Sequence, residues 1–146
     1  MRFKKLNKDT VLHYGSMVLG AAVLSFGLFN IHSQSQITEG GILGAVWEIA
    51  ECSKVGVELY ADEIPVLECT KEVCKFADID YLRLISSGTM VMTAFDGEKL
   101  VTKLKESGIN AAVIGRVTDK GRYVTKNNKR VELIPQEKDE IYKVKL

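Results

Sequence analysis

The sequence is poor in the residues that most often carry metal and redox chemistry, with three cysteines and two histidines in 146 residues. Cys52, Cys69 and Cys74 are odd in number and form no CxxC pair, which excludes a zinc knuckle and a disulfide framework. Cys69 and Cys74, five apart, would fall on different faces of a helix, and free cysteines in a reducing compartment are expected to be buried or half-buried. His13 and His32 are too isolated to be metal ligands, and no metal site is expected. A dominant charge is lacking as well. The net charge is +1, divided into +3 over residues 1–38 and −2 over the rest. Neither part is basic enough for nucleic acid, and no Arg or Lys cluster alternates with aromatics as a stacking platform would require, so nucleic acid is excluded as a partner. Internal repeats, low-complexity tracts and long linkers are also missing.

What stands out is an apolar run. Residues 11–31, VLHYGSMVLGAAVLSFGLFNI, contain no Asp, Glu, Lys or Arg, and a helix of about 20 residues is what a hydrocarbon core of ~30 Å demands. Ser16, Gly20, Val23 and Gly27 recur at helical spacing and give a face of small residues suited to close helix packing. The run therefore reads as one long apolar helix, a membrane-spanning candidate. A secretory signal peptide and a buried helix of a soluble protein are the competing readings; the polar NIHSQSQ that follows offers no A-x-A cleavage site.

Beyond it the pattern is that of a soluble domain. Ile42, Val46, Ile49 and Ala50 recur at helical spacing after Gly40-Gly41, with Gly56 as the stop. VGVELYADEIPV reads as a strand ending near Ala61. Pro65 introduces a second helix whose inward face includes Leu67, Thr70, Val73, Cys74 and Ala77. LRLISSGTMVMTAF reads as a strand broken by a Ser-Ser-Gly turn or bulge, and Asp96 is placed to cap a third helix that ends at Gly108. NAAVIGRVT is of strand length, and RYVTKNNKRVELI forms a hairpin turning at Asn127-Asn128. Strands alternating with helices and closing in a hairpin predict an α+β fold, a mixed sheet with packed helices, over residues 37–146, preceded by residues 1–36 as a basic N-terminus plus the apolar helix.

Several residues invite a chemical reading and fit a plainer one better. Asp62 and Glu63 are adjacent, so in an extended strand they point to opposite faces, and they read as solvated acids at a strand exit rather than a catalytic pair. Trp47 reads as a core or interface anchor. Ser86, Ser87 and Gly88 have no neighbouring base in sequence and read as a bulge. Lys126, Lys129 and Arg130 flank the hairpin turn as a solvated tip.

TEGGILGAVWEIAECSKVGVELYADEIPV, followed by DIDYLRLISSGTMVMTAFDGEKLVTKLKESGINAAVIGRVTDKGRYV, resembles the C-terminal domain of the aminoimidazole ribonucleotide synthetase (AIR synthase) superfamily, in its HypE-like hydrogenase-maturation branch. That resemblance implies ATP-dependent chemistry with Mg, activating an amide or related oxygen by phosphoryl transfer in a dimer of two-domain chains. It also implies that most of the ATP site belongs to an N-terminal domain without counterpart here, so the chain would need no cofactor of its own. It would bind a ligand, a second copy or a separate ATP-binding partner in the cytoplasm, without catalysing alone. By position, Thr38, Glu39, Gly40 and Gly41 match the family's Gly-rich turn and are the expected phosphate-binding residues; a Gly-Gly pair at a helix start can turn backbone N–H groups toward an anion. Taken alone the string is a weak phosphate signal, and a purely structural helix start is the competing reading. Two departures weaken the catalytic expectation. Ser35-Gln36-Ile37 stands where the family has His-Asp before the turn, and the chain ends IYKVKL where hydrogenase-maturation members end in cysteine.

YGSMVLGAAVLSFGLFNIHSQSQITEGGILG is similar to the first transmembrane helix and following loop of YitT-like membrane proteins. The two resemblances overlap on residues 37–44, which implies a chimeric junction and a membrane association through residues 11–31. The lysines before the run would then place the domain outside the cell, away from ATP. Three readings follow: an AIR synthase-like binding domain, a membrane-anchored binding or structural protein, and a chimera without its own function.

Overall fold

The computed structural model describes residues 21–25, 34–36, 39–135 and 138–144. One interior strand of its sheet comes from the apolar run. Ala21–Ser25 (β1) lies between Met90–Ala94 (β4) and Ala111–Thr118 (β5), parallel to both. The expected long helix is therefore corrected at its middle, and the rest of residues 11–31 lies outside the described residues. The physical reason is that a parallel strand enclosed by neighbours on both sides reads as a continuous apolar run, with no alternation to betray it.

Seven strands make one mixed sheet in the order β2-β4-β1-β5-β3-β6-β7. Gln34–Gln36 (β2) pairs antiparallel with β4 at one edge. On the other side of β5 lies Gly56–Tyr60 (β3), antiparallel to it, then Arg122–Lys126 (β6), parallel to β3, and Lys129–Glu132 (β7) at the far edge. Of the three α-helices among the described residues, Gly41–Cys52 (α1), Glu68–Ala77 (α2) and Gly97–Glu106 (α3), α1 and α3 pack on this sheet, while α2 packs against the segment around Tyr81–Arg83 and against Ile141. The α+β expectation holds.

The two sheet faces are covered by different helices. On one, Ile42, Val46 and Ile49 of α1 pack with Val57, Leu59, Val91, Ile114 and Val124. On the other, Val101 and Leu104 of α3 pack with Met92, Ala94, Ala111 and Val113. The alternation Val91/Met92 and Val113/Ile114 follows from the two-residue period of a strand. Beyond the reach of α3, the same face of β5, β3, β6 and β7 carries charge. Glu58 accepts from Arg116 Nη2 at 2.6 Å and lies 3.3 Å from Arg130 Nε, and the Arg130 guanidinium sits 3.6 Å from the Tyr123 ring centroid. The Arg116 hydrogen bond, outweighing desolvation, holds the Glu58 carboxyl below its ordinary range.

Local signals explain most element ends. Asp96 Oδ1 accepts from Lys99 N–H at 3.0 Å at the start of α3, and Ile109 N–H closes its end on Leu104 O at 2.9 Å around Gly108, whose φ is 79°. Asn127 and Asn128, at φ 49° and 60°, make the two-residue hairpin turn, and Asp62 Oδ2 holds the Asn127 N–H at 2.9 Å. In α2, Thr70, Val73 and Cys74 are buried, but Leu67 is 39% exposed and lies just outside the helix. Two details differ from the sequence reading. The stretch before Gly88 is a short 3-10 helix, Tyr81–Arg83, and a Ser86–Thr89 turn closed by both backbone and hydroxyl contacts, so β4 starts only at Met90. Lys54, at φ 55°, reverses the chain after α1, while Gly56 already belongs to β3.

The bulge between Val113 and Gly115, where β5 steps past β1, brings the Gly115 backbone against β3. A Cβ there would meet the Glu58 carbonyl oxygen and come within 3.0 Å of Leu59 Cα. Gly115→Ala is expected to cost about 1–3 kcal/mol of stability through this overpacking, measured as a lower midpoint in urea unfolding; an unchanged midpoint would show that the strands separate freely here.

Candidate functional site

The Gly-rich turn folds as expected in position and unexpectedly in its contacts. Gly40 is the N-cap of α1 in the left-handed region, at φ 83°, and Gly41 follows at φ 62°. Gly41 is fixed by packing: a Cβ on it would lie 2.5 Å from Leu82 O and 2.7 Å from Leu84 N, so only glycine lets the turn seat on the 81–84 segment. Thr38 lies outside the described residues, and Glu39 is exposed.

The buried Gly40 N–H already has an anion. It donates to Asp139 Oδ2 at 2.8 Å, and the other carboxylate oxygen of Asp139 accepts from Ile141 N–H at 2.9 Å, opening the C-terminal 3-10 helix Glu140–Lys143. Asp139 is 2% exposed. One residue on, the Tyr142 hydroxyl donates to Glu39 Oε1 at 3.2 Å, and the Glu39 charge raises the Tyr142 pKa above its ordinary value, so the phenol remains a neutral donor. A carboxylate at the positive end of α1 is what the helix dipole favours. Here it comes from 99 residues away in the same chain.

Beside this latch lies a cleft of about 220 Å³ lined by Glu39, Gly40, Gly44, Trp47, Glu48, Pro135, Lys138 and Asp139. Three acids and one lysine make a poor cradle for a triphosphate, because like charge repels it and the Gly40 N–H is already taken. Among the described residues no group of three or more His, Cys, Asp or Glu converges as metal ligands. The described lining of this cleft therefore does not favour the triphosphate that the family resemblance implies. Trp47 is half-buried at the border with a second cleft, of about 540 Å³, and Arg122 lies over its ring at 5.6 Å while holding Glu51 Oε2 at 2.6 Å. Trp47 is thus occupied as an anchor.

A third cleft, about 590 Å³, lies under α2 and alternates charge. Asp80 faces Arg83 at 3.7 Å and Lys126 at 3.8 Å, and the buried Glu140 accepts from Lys143 Nζ at 2.6 Å and from Asp80 N–H at 3.3 Å. Lys126 also lies 4.8 Å from the Tyr81 ring centroid, so it is tied to this wall and is not merely a solvated tip. Asp62 and Glu63 fall in a 3-10 turn, Ala61–Glu63, both exposed, with Asp62 serving the hairpin as described. Asp139 and Tyr142 escaped sequence reasoning, since no local spacing links KDEIYK to a turn a hundred residues earlier.

With this geometry in view, the relationships of the chain are direct. A family model described as AIR synthase related protein, C-terminal domain, matches residues 16–126, and the chain belongs to that family. A protein of Methanocaldococcus jannaschii named as a hydrogenase expression/formation protein is 32% identical over 113 residues, covering 75% of this chain and 31% of that one. The crystal structure of a HypE–HypF complex aligns with TM-score 0.61 at 27% identity over 70% of this chain and 36% of that one. A HypE hydrogenase maturation protein in complex with ATP aligns with TM-score 0.65 at 22% identity, over 74% and 36%. The chain thus spans about a third of the length of these relatives. The family match, residues 16–126, spans most of the apolar stretch and residues 37–44. The YitT-like resemblance, the chimeric junction and the membrane partner have no support in these matches. No helix among the described residues is long and apolar enough to cross a membrane.

The cysteines differ from the sequence expectation: Cys52 and Cys69 are exposed and only Cys74 is buried. Burial, reinforced by the nearby carboxylates of Asp80 and Glu140, pushes the Cys74 thiol up to about 11. In a timed reaction with an aromatic disulfide reagent at pH 8, two thiols should react quickly and Cys74 at least about a hundredfold more slowly, because thiolate is the nucleophile and access is closed. Three equally fast thiols would contradict the packing of α2 on the C-terminal segment.

Proposed function

We propose that the chain works as the C-terminal-type half of an AIR synthase related, HypE-like hydrogenase-maturation protein, binding a partner that supplies the ATP-binding half rather than binding ATP itself. The observation that supports it is the Asp139 carboxylate on the Gly40 N–H, which fills with an internal anion the position where a phosphate would sit. Catalysis then falls to groups the partner provides. This domain contributes a rigid wall, the α1 turn, and the exposed Glu39 held by Tyr142.

The alternative, phosphate or nucleotide held at the turn by Thr38, Glu39, Gly40 and Gly41, makes a different forecast. A ligand at a hundredfold excess over its Kd stabilises by about 2.7 kcal/mol, which moves the unfolding midpoint of a chain this size by about 5 °C or more. Thermal unfolding of the full chain with inorganic phosphate or Mg-ATP at about 10 mM should shift by less than about 1 °C. The ATP-binding half of a HypE-like protein, added in trans, should form a complex with the chain in sedimentation velocity. A large shift with ATP and no complex in trans would overturn the proposal in favour of the second reading.

A further inference from the structure

At the far edge of the sheet β7 leaves one side of its backbone without a strand partner among the described residues. Among the described residues β7 pairs only with β6, and all four of its residues are exposed, Val131 at 56%. The direction of its backbone groups follows from the register. Lys126 faces Lys129 across the two-residue turn, and Val124 faces Val131. In an antiparallel ladder, residues alternate between bonding the neighbour and turning both N–H and C=O away. The pair closing a two-residue turn is a bonded pair, and Leu133 N–H, in step with it, donates to Arg122 O at 2.9 Å. Lys129 and Val131 therefore bond β6, and Arg130 and Glu132 present free N–H and C=O groups to the outside.

An exposed edge is normally blunted by charge, yet the charges here are complementary in one particular arrangement. We propose that two copies of the chain associate through antiparallel pairing of β7 about a twofold axis normal to the sheet, centred on Val131. Such an axis preserves the faces of the sheet, so only residues of the same parity can oppose each other. Centring on Arg130 or on Glu132 sets like charges directly opposite, which is destabilising. Centring on Val131 places Arg130 of each copy opposite Glu132 of the other. Those are the residues with free backbone groups, giving four inter-chain hydrogen bonds and two reciprocal ion pairs. Val131 meets its counterpart on the face that carries buried Val124, extending the apolar surface covered by α1.

The side chains support this register. Glu132 has no ion-pair partner among the described residues, while Arg130 is held in an extended row by Glu58 and by stacking on Tyr123, with its side chain 53% exposed. The row Arg116, Glu58, Tyr123, Glu132 crosses four strands in register, and the partner's Arg130 would continue it. This association is independent of the proposed function, because it uses the edge opposite to β2 and none of the turn residues.

Sedimentation equilibrium of the full chain from about 5 to about 500 µM tests it. A concentration-dependent dimer is expected. Glu132→Arg should weaken it by at least about tenfold, and the exchange R130E with E132R should recover most of the loss, since symmetry restores both pairs. Far-UV circular dichroism and thermal unfolding establish that each variant is folded. Glu132→Pro, which deletes only an outward N–H, should also weaken dimerisation without unfolding the hairpin. A monomer throughout the range, a dimer indifferent to Glu132→Arg, or a folded exchange variant that recovers nothing would each overturn the proposal.

Discussion

The structure depends on the parallel insertion of β1 between β4 and β5. Without that strand the sheet falls into two pieces: β2 with β4, and β5 with β3, β6 and β7. Each of the two cores that lie on the sheet straddles this seam. The α1 core joins Val91 of β4 to Ile114 of β5, and the α3 core joins Met92 and Ala94 to Ala111 and Val113. A strand paired on both sides in parallel is in general a continuous apolar stretch, and Ala21–Ser25 carries no charge.

A second long-range tie organises the surface. The 3-10 helix at Glu140–Lys143 returns to the start of α1, where Asp139 satisfies the Gly40 N–H and Tyr142 meets Glu39. The same segment closes the space under α2, where Ile141 packs with Cys74, Ile79 and Leu84, and Glu140 receives the Asp80 N–H. Helix polarity, buried hydrogen bonding and apolar packing thus favour one docked position of the C-terminal segment. The turn needs its two glycines because Gly41 approaches the 81–84 backbone closely and because both Gly40 and Gly41 have a positive φ.

Much of this was legible in the residues. The helical stripes of α1 and α3, the Asp96 cap, the Gly108 stop and the Asn127-Asn128 turn are local signals, each with a stereochemical cause within a few residues, and the structure follows them. The resemblance to the AIR synthase C-terminal domain rests on residues 38–66 and 78–124 and points to the family that the chain belongs to. The apolar run was misread because length and hydrophobicity cannot separate a central parallel strand with its flanks from a spanning helix; only its partners, about 70 to 90 residues away in β4 and β5, decide the matter. The Asp139 latch was illegible for the same reason. A capping carboxylate supplied from the other end of the chain leaves no pattern near the turn it caps.

The central claim is that Ala21–Ser25, within the apolar segment, is an integral strand of the family domain. Denaturant unfolding of the full chain, compared with a fragment comprising residues 39–146, tests it most directly. Loss of β1 and β2 should abolish the cooperative transition of the fragment, leaving a shallow, near-linear change in circular dichroism, because the slope of a two-state transition scales with the surface exposed on unfolding. A fragment that unfolds cooperatively, with the slope and midpoint of the full chain, would show that the domain is complete without β1 and would contradict the account.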